Sequence, residues 1–478
     1  MTQETCQETL TIVYTNDLHS HFNAMGRIAA IVDEYRTQPD SSMLLLDIGD
    51  HMDRAASETE GTMGQANVDV INITGYDAIT IGNNEGLTFT PDMLRDVYTG
   101  LLCPVVCGNI REINTGGLPD WMESELVIKR GSFTIGLIGA TASYPDFYRL
   151  LGLEALDPRA TILDSVKKLR DQVDLIVVMS HLGLTLDREL AVSIPGIDLI
   201  IGGHTHHLLE EPLMVGNTMI TAAGKFGRHL GKVTIGRDNH NGKPVILEAI
   251  CIPVEEGVDN DDVMNAMAIH REASRQSLQR TVAVTECELP IHYESESPFG
   301  NLLAQAVRRY TESELSIVNS GQLLDGLPAG EISAGMLHKR CPSPINPCRM
   351  RLKGEDILYT LEQSLHPEMS SKEIFGYGFR GKVLGGLCVD GMEIMYDSTK
   401  PPFQRIIQAS VRGIPMDPEK TYIVGTLDMF TFGIGYERLK LGSGVEYMLP
   451  DFLRDLLRIE LQTAGAVDQS FKYRWLKQ

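Results

Sequence analysis

The sequence predicts an α/β fold for its first half, with mixed sheets flanked by helices, and a second, α+β region behind it. Three observations carry this. Up to about Pro253, short apolar runs of buried-strand type alternate with amphipathic, helix-like segments, the α/β pattern. Across 259–282 the chain turns charged and helix-favouring, without Pro or Gly, as a connecting helix would. Beyond it, helical and strand-like runs continue to Gln478 without internal repeat or low-complexity tract. The expected division is a first domain over 1–256, a connecting helix over 257–281 and a second domain over 282–478.

Taken in order, the strand candidates of the first domain are 10–14, 43–48, 78–81, 105–108, 133–138, 175–179, 197–201, 219–222 and 232–235. Segments 26–36 and 162–170 read as helices between them. The late strands lie close together in sequence, so the sheet should be mixed and not wholly parallel. The second domain should hold helices near 301–310 and 354–365, then strands near 392–396, 406–411 and 421–426.

Composition excludes several function classes. No apolar run approaches the ~18 residues of a membrane helix, and the polar start, Met1 to Glu8, lacks the basic and apolar parts of an export signal. A cytoplasmic, soluble protein is expected. The eight cysteines show no Cys-x-x-Cys spacing, so thiols in a reducing compartment are the expectation. A net charge of −22 argues against nucleic acid as partner, because that binding rests on Lys and Arg neutralising phosphates. No protein partner is implied.

Polar residues at the ends of the predicted strands form an ordered series. Asp17 and His19 follow the first run, Asp50 the second and Asn83 the third; His181 and the pair His204 and His206 follow later ones. In an open α/β sheet, strand ends of one sense converge on a single edge. Asp-x-His and His-x-His place two donors on the same side of an extended segment. Imidazole with carboxylate suits Zn, Mn, Fe or Co, and a carboxylate such as Asp50 can bridge two ions, as in phosphatase pairs ~3.5–4 Å apart. Bound metal would also explain how an acidic chain attracts a small phosphate.

This ordered set resembles the calcineurin-like metallophosphoesterases, specifically the 5'-nucleotidase and UDP-sugar hydrolase family, over the whole chain. The family pattern of Asp-x-His, Gly-Asp, Gly-Asn-His-Glu, His and Gly-His-x-His is matched almost throughout. The resemblance implies a metallophosphatase sandwich followed by a 5'-nucleotidase-type C-terminal domain. It implies two divalent ions (Mn, Zn, Co or Mg), one held by Asp17, His19, Asp50 and His206, the other by Asp50, Asn83, His181 and His204. The departure lies at Asn84 and Leu87, where the family has the His and Asp of a dyad that assists the leaving group. An amide can donate a hydrogen bond but cannot act as a proton donor near neutral pH. His21, His51 and His207, each next to a proposed ligand, are substitute acids to consider.

In the second domain, Asn319 lies in a stretch similar to the family's Asn-Gly-Gly-Gly-Ile-Arg, with Leu324 where a phosphate-contacting Arg is expected. Arg340, Arg349 and Arg380 are candidate replacements. Phe379 matches one base-stacking position, and Phe430 or Phe432 the other. The implied activity is hydrolysis of a small phosphorylated nucleotide or nucleotide sugar by a metal-held hydroxide. Loss of the dyad points to diphosphates over monophosphates. The rival readings are a cyclic-nucleotide phosphodiesterase and a non-catalytic nucleotide sensor.

Overall fold

Alternation along the apolar runs gives each central strand two hydrophobic faces, so each sheet must be covered on both sides. The computed structural model, which describes residues 9–37, 41–255 and 257–478, meets this demand with paired sheets and outer helices in the first of two units, Met1–Ser274 and Arg275–Gln478. One sheet has seven strands in the order Pro244–Pro253, His229–Arg237, Thr9–Thr15, Ser41–Asp47, Ala78–Ile79, Val105–Val106 and Met122–Glu123. The other has six, in the order Leu213–Val215, Thr218–Thr221, Leu199–Gly202, Leu175–His181, Phe133–Thr141 and Glu125–Arg130. Both are mixed: Thr9–Thr15 runs parallel to Ser41–Asp47 but antiparallel to His229–Arg237, and Phe133–Thr141 runs parallel to Leu175–His181 but antiparallel to Glu125–Arg130.

The layers follow from side-chain parity. Leu10, Ile12 and Tyr14 share a core with Leu137, Val177 and Leu199 between the two sheets. Val13, Leu45 and Ile79 point the other way, onto Ile28 and Val32 of helix Phe22–Arg36 and onto Val68 and Ile71 of helix Gln65–Thr74. Ile176, Val178 and Ile200 pack outward against Ile162 and Val166 of helix Pro158–Leu169 and Leu190 of helix Leu184–Ser193. The result is a four-layer sandwich, helices outside and sheets inside.

Two expected strands are cut short. The strands at 78–81 and 105–108 keep only two ladder residues each, because the chain turns toward the sheet edge directly after them. The polar stretch after Ile81 opens helix Asn83–Thr88; the Glu85 carboxylate accepts the Gly82 N–H at 2.8 Å and closes its first turn. Helices Gln65–Thr74 and Leu184–Ser193 carry only a weak periodic signal between strong apolar runs, whereas Pro91–Tyr98 is strongly amphipathic but spans eight residues, too few for its period to stand out in the sequence.

Helix Asp261–Leu278 leaves the first sandwich with Val263 and Met267 in its core. The second unit is built on a five-stranded sheet in the order Leu387–Asp390, Leu315–Asn319, Thr421–Leu427, Pro347–Lys353 and Ser443–Tyr447. Helices Pro298–Tyr310 and Leu453–Leu461 share its core through Phe299, Leu302 and Leu456. A four-stranded sheet that includes Met392–Tyr396 and Ile406–Val411 completes it. Among the described residues no helix is long and apolar enough to cross a membrane.

Candidate metal centre

The strands Thr9–Thr15 and Ser41–Asp47 are parallel neighbours, as are Leu175–His181 and Leu199–Gly202, so the ends of each pair emerge together. The loops that follow are laced across one another: Asp17 N–H donates to Gly49 O at 3.0 Å, and His19 N–H to Asp50 O at 2.8 Å. Asp17, His19, Asp50, His204 and His206 all sit in the left-handed backbone region, with φ between +46° and +71°. That conformation costs a non-glycine residue roughly 1–2 kcal/mol. Such strain gathered at one edge marks a place where the surrounding fold dictates side-chain direction against local preference.

The side chains converge. Asp17 Oδ1 lies 3.5 Å from His206 Nε2 and 4.0 Å from both His19 Nε2 and His181 Nε2. Asp50 reaches two rings at once, with Oδ2 3.7 Å from His19 Nε2 and Oδ1 3.4 Å from His181 Nε2. Two donor sets result, Asp17 with His19 and His206, and Asp17 with Asp50 and His181. All are buried except His206, whose side chain is 31% exposed and marks the open side. His204 stands next to His181, ring centroids 5.3 Å apart, with its Nε2 3.3 Å from the Tyr144 hydroxyl; it falls outside both tight sets.

Electrostatically the centre calls for a cation. His181 Nδ1 lies 2.8 Å from Ile48 O, so it carries the ring proton and turns Nε2 toward the carboxylates. That Nε2 has no hydrogen-bond partner among the described residues, and neither has the buried Asn83 Oδ1. Burial opposes charge on His181, but Asp50 and Asp17 outweigh it and push its pKa up to about 10. Burial alone would raise Asp50; His181 and His19 instead hold its carboxyl below the usual range. The carboxylates thus bind a proton on His181 where a divalent ion would replace it. Oxygen and imidazole donors with orphaned acceptors fit such ions, and among the described residues no thiol joins either donor set.

Several supporting residues escaped the sequence reading. The Glu85 carboxylate accepts the N–H groups of Asp50 at 3.0 Å and Met52 at 2.7 Å, and burial, then Asp50, pushes its pKa up to about 7. Asn16 Nδ2 donates to Asp17 Oδ2 at 2.7 Å. Asp53 Oδ2 lies 3.3 Å from His19 Nδ1. Proximity to Asp17, Asp50 and Asn83 in sequence was the available signal. Asn84 is tied inward: its N–H donates to Asp50 Oδ1 at 2.8 Å, and its Nδ2 lies 2.7 Å from His19 Nδ1. Leu87 is half-buried against the hydrophobic cluster.

Of the three substitute acids, His51 is buried, and burial pushes its pKa down to about 3. His21 stacks on Phe226 at 3.9 Å, and His207 Nδ1 lies 2.9 Å from Thr205 Oγ1.

In the second unit, three expected substrate contacts are engaged elsewhere. Asn319 is fully buried, donating to Leu384 O at 2.6 Å and accepting from Gln322 Nε2 at 3.0 Å, so its amide is occupied in holding the turn. Phe379 and Phe430 are core residues, Phe430 edge-on to Tyr436 at 5.8 Å; burial of the apolar ring won over display. Phe432 is different: 43% exposed, with its ring 5.7 Å from that of the exposed Tyr377. Arg340 is paired with Asp325 at 3.0 Å and Arg349 with Glu446 at 2.8 Å.

The calcineurin-like phosphoesterase family matches residues 10–208, and the 5'-nucleotidase C-terminal domain family matches residues 279–440. YunD of Bacillus subtilis (strain 168), described as an uncharacterized metallophosphoesterase, is 34% identical over 95% of this chain and 99% of its own length. The chain belongs to the calcineurin-like phosphoesterases. It carries the 5'-nucleotidase C-terminal domain, and its class of activity is that of a metal-dependent phosphohydrolase. The 5'-nucleotidase of Mus musculus is 23% identical over 90% of this phosphoesterase and 84% of its own chain. Among solved structures, a 5'-nucleotidase precursor from Thermus thermophilus superposes with a TM-score of 0.61 at 22% identity, over 98% of this chain and 99% of that one. The NAD nucleotidase of Haemophilus influenzae gives 0.68 at 15%, over 98% and 97%; both share the two-domain fold.

Proposed function

We propose that this phosphoesterase uses two divalent ions to hydrolyse small nucleotide or nucleotide-sugar substrates, and that it favours diphosphate bonds over phosphate monoesters. The observation that carries the reading is the placement of Asp50, with one oxygen toward His19 and the other toward His181. Asp17, His19 and His206 would hold one ion and His181, with His204 and Asn83 beside it, the other, with Asp50 shared between the two. Ions so held supply an ionised water at neutral pH and neutralise phosphoryl charge.

The chain's own contribution is orientation. Ile48 O fixes the His181 ring, Glu85 fixes the loop that carries Asp50, and the exposed edge of His206 leaves the approach for a phosphate. No proton donor stands where the family's dyad would: Asn84 is an amide engaged with His19, and Leu87 is apolar. An alkoxide leaving from a nucleoside monophosphate needs a proton or equivalent stabilisation, whereas a phosphate leaving from a diphosphate needs little. Phe432 and Tyr377 offer flat faces for a base, which supports a nucleotide-type substrate. The seven described cysteines are free thiols, which supports the cytoplasmic setting we propose.

A substrate panel run with Mn, Zn, Co and Mg tests the reading. UDP-glucose should be turned over about 100-fold faster than AMP or more, the low end of what a missing general acid would cost the monoester. Equal turnover of the two would defeat the diphosphate preference; cleavage of cyclic phosphates alone, or tight nucleotide binding without turnover, would replace the reading outright.

A further inference from the structure

The His19 imidazole is claimed from both sides. Its Nε2 faces His206 Nε2 at 3.2 Å, Asp50 Oδ2 at 3.7 Å and Asp17 Oδ1 at 4.0 Å. Its Nδ1 meets Asp53 Oδ2 at 3.3 Å and Asn84 Nδ2 at 2.7 Å. A neutral imidazole carries one proton, and the two nitrogens cannot both offer a lone pair and both donate. With the proton on Nε2, Nδ1 accepts from the Asn84 amide, and Nε2 cannot ligate. With the proton on Nδ1, the ring donates to Asp53 and presents the Nε2 lone pair to the centre; Asn84 must then offer its amide oxygen or turn aside.

We propose that Asp53 is the positioning residue that holds His19 in its ligating tautomer, and that Asn84 competes with it for the same ring nitrogen. The inference rests on the reading of His19 as a ligand. Asp53 is built for the task. It is buried, its Oδ1 accepts the Ala55 N–H at 2.8 Å, and its own N–H donates to Ser20 Oγ at 2.8 Å. Ser20 Oγ is in turn held by Thr59 Oγ1 at 2.7 Å and Asn67 Nδ2 at 3.0 Å, so the second Asp53 oxygen has one fixed direction, toward Nδ1. A carboxylate behind a ligating histidine sets ring tautomer and orientation, and losing it typically costs about 10–100-fold in metal affinity. Asn84 thereby acquires a role beyond the missing acid. Its amide opposes the tautomer that metal binding needs, so entry of the ion must displace that contact.

The test is Mn titration of the full chain by calorimetry, with the variants D53A, D53N, N84A and H19A, together with nitrogen-15 histidine spectra of the Zn-loaded wild type. D53A should weaken binding about 10–100-fold at one site. D53N, which keeps an acceptor oxygen, should recover part of the loss, N84A should bind at least as tightly as wild type, and the His19 signal should report a proton on Nδ1. Should H19A bind Mn like wild type, the ligand reading itself fails. Weak binding by H19A with unaltered binding by D53A and D53N would overturn the positioning role alone, and so would a His19 protonated at Nε2 in the Zn-loaded wild type, a readout that needs no variant to fold.

Discussion

The Asp50 carboxylate stands 3.4 Å from His181 Nε2, and the far nitrogen of that ring is anchored 2.8 Å from Ile48 O. If this buried pair holds an ion as proposed, the stability of the first unit is tied to that ion. A ligand that binds only the folded state stabilises it by about 2.7 kcal/mol at a hundred times its dissociation constant. Stripping divalent ions with a chelator should therefore lower the melting temperature by several degrees, and Mn should restore it. A melt indifferent to chelator and Mn would speak against metal in this cluster.

The absent dyad can be put back. N84H together with L87D should raise AMP hydrolysis relative to UDP-glucose by about 100-fold or more, the low end of general acid catalysis. The quantity to compare is the ratio of kcat/KM on the two substrates in wild type and double variant. An unchanged ratio would mean that leaving-group protonation does not set the preference.

Phe430 and Phe432 should separate stability from binding. Phe430 is wholly buried, and F430A should destabilise the protein by about 3–5 kcal/mol with little change in KM for the protein that still folds. F432A, at an exposed ring, should leave denaturant midpoints within error and raise KM, since a stacked base contributes roughly 1–3 kcal/mol. Urea melts beside Michaelis curves distinguish the two; a reversed pattern would return Phe430 to the substrate site.

Asp428 gives a pH dependence. Burial pushes its pKa from the ordinary 3.8 up to about 7, although its Oδ2 accepts the Asn346 N–H at 3.0 Å. A carboxyl raised on folding costs nothing below its unfolded pKa, where both states are protonated. The cost grows as pH rises and is complete above about 7. D428N escapes it, so its stability relative to wild type should improve by roughly 2–3 kcal/mol between about pH 5 and about pH 8. Urea unfolding at both values checks this, and a constant difference would contradict it.

Much of the first unit was legible because its chemistry is periodic. Apolar runs with parity announce strands, and Asp17, His19, Asp50, His181 and His206, which the structure draws together, stand where those runs stop. What was hidden acts through space. Asp53 reads as an ordinary loop acid until its 3.3 Å approach to His19 is seen, and Asn84 reads as a lost acid until its amide is found on the same nitrogen. The second unit was harder for a different reason. A Phe among glycines has the same letters whether it fills a core, as Phe379 and Phe430 do, or faces solvent, as Phe432 does. Only the packing decides.

The most direct measurement is metal content per chain alongside hydrolysis, in wild type and in D50N. Two ions per wild-type chain are expected, with D50N retaining at most one and hydrolysing no substrate of the panel detectably. D50N that holds two ions, or that hydrolyses UDP-glucose at the wild-type rate, would contradict the assignment of Asp50 as the group shared between them.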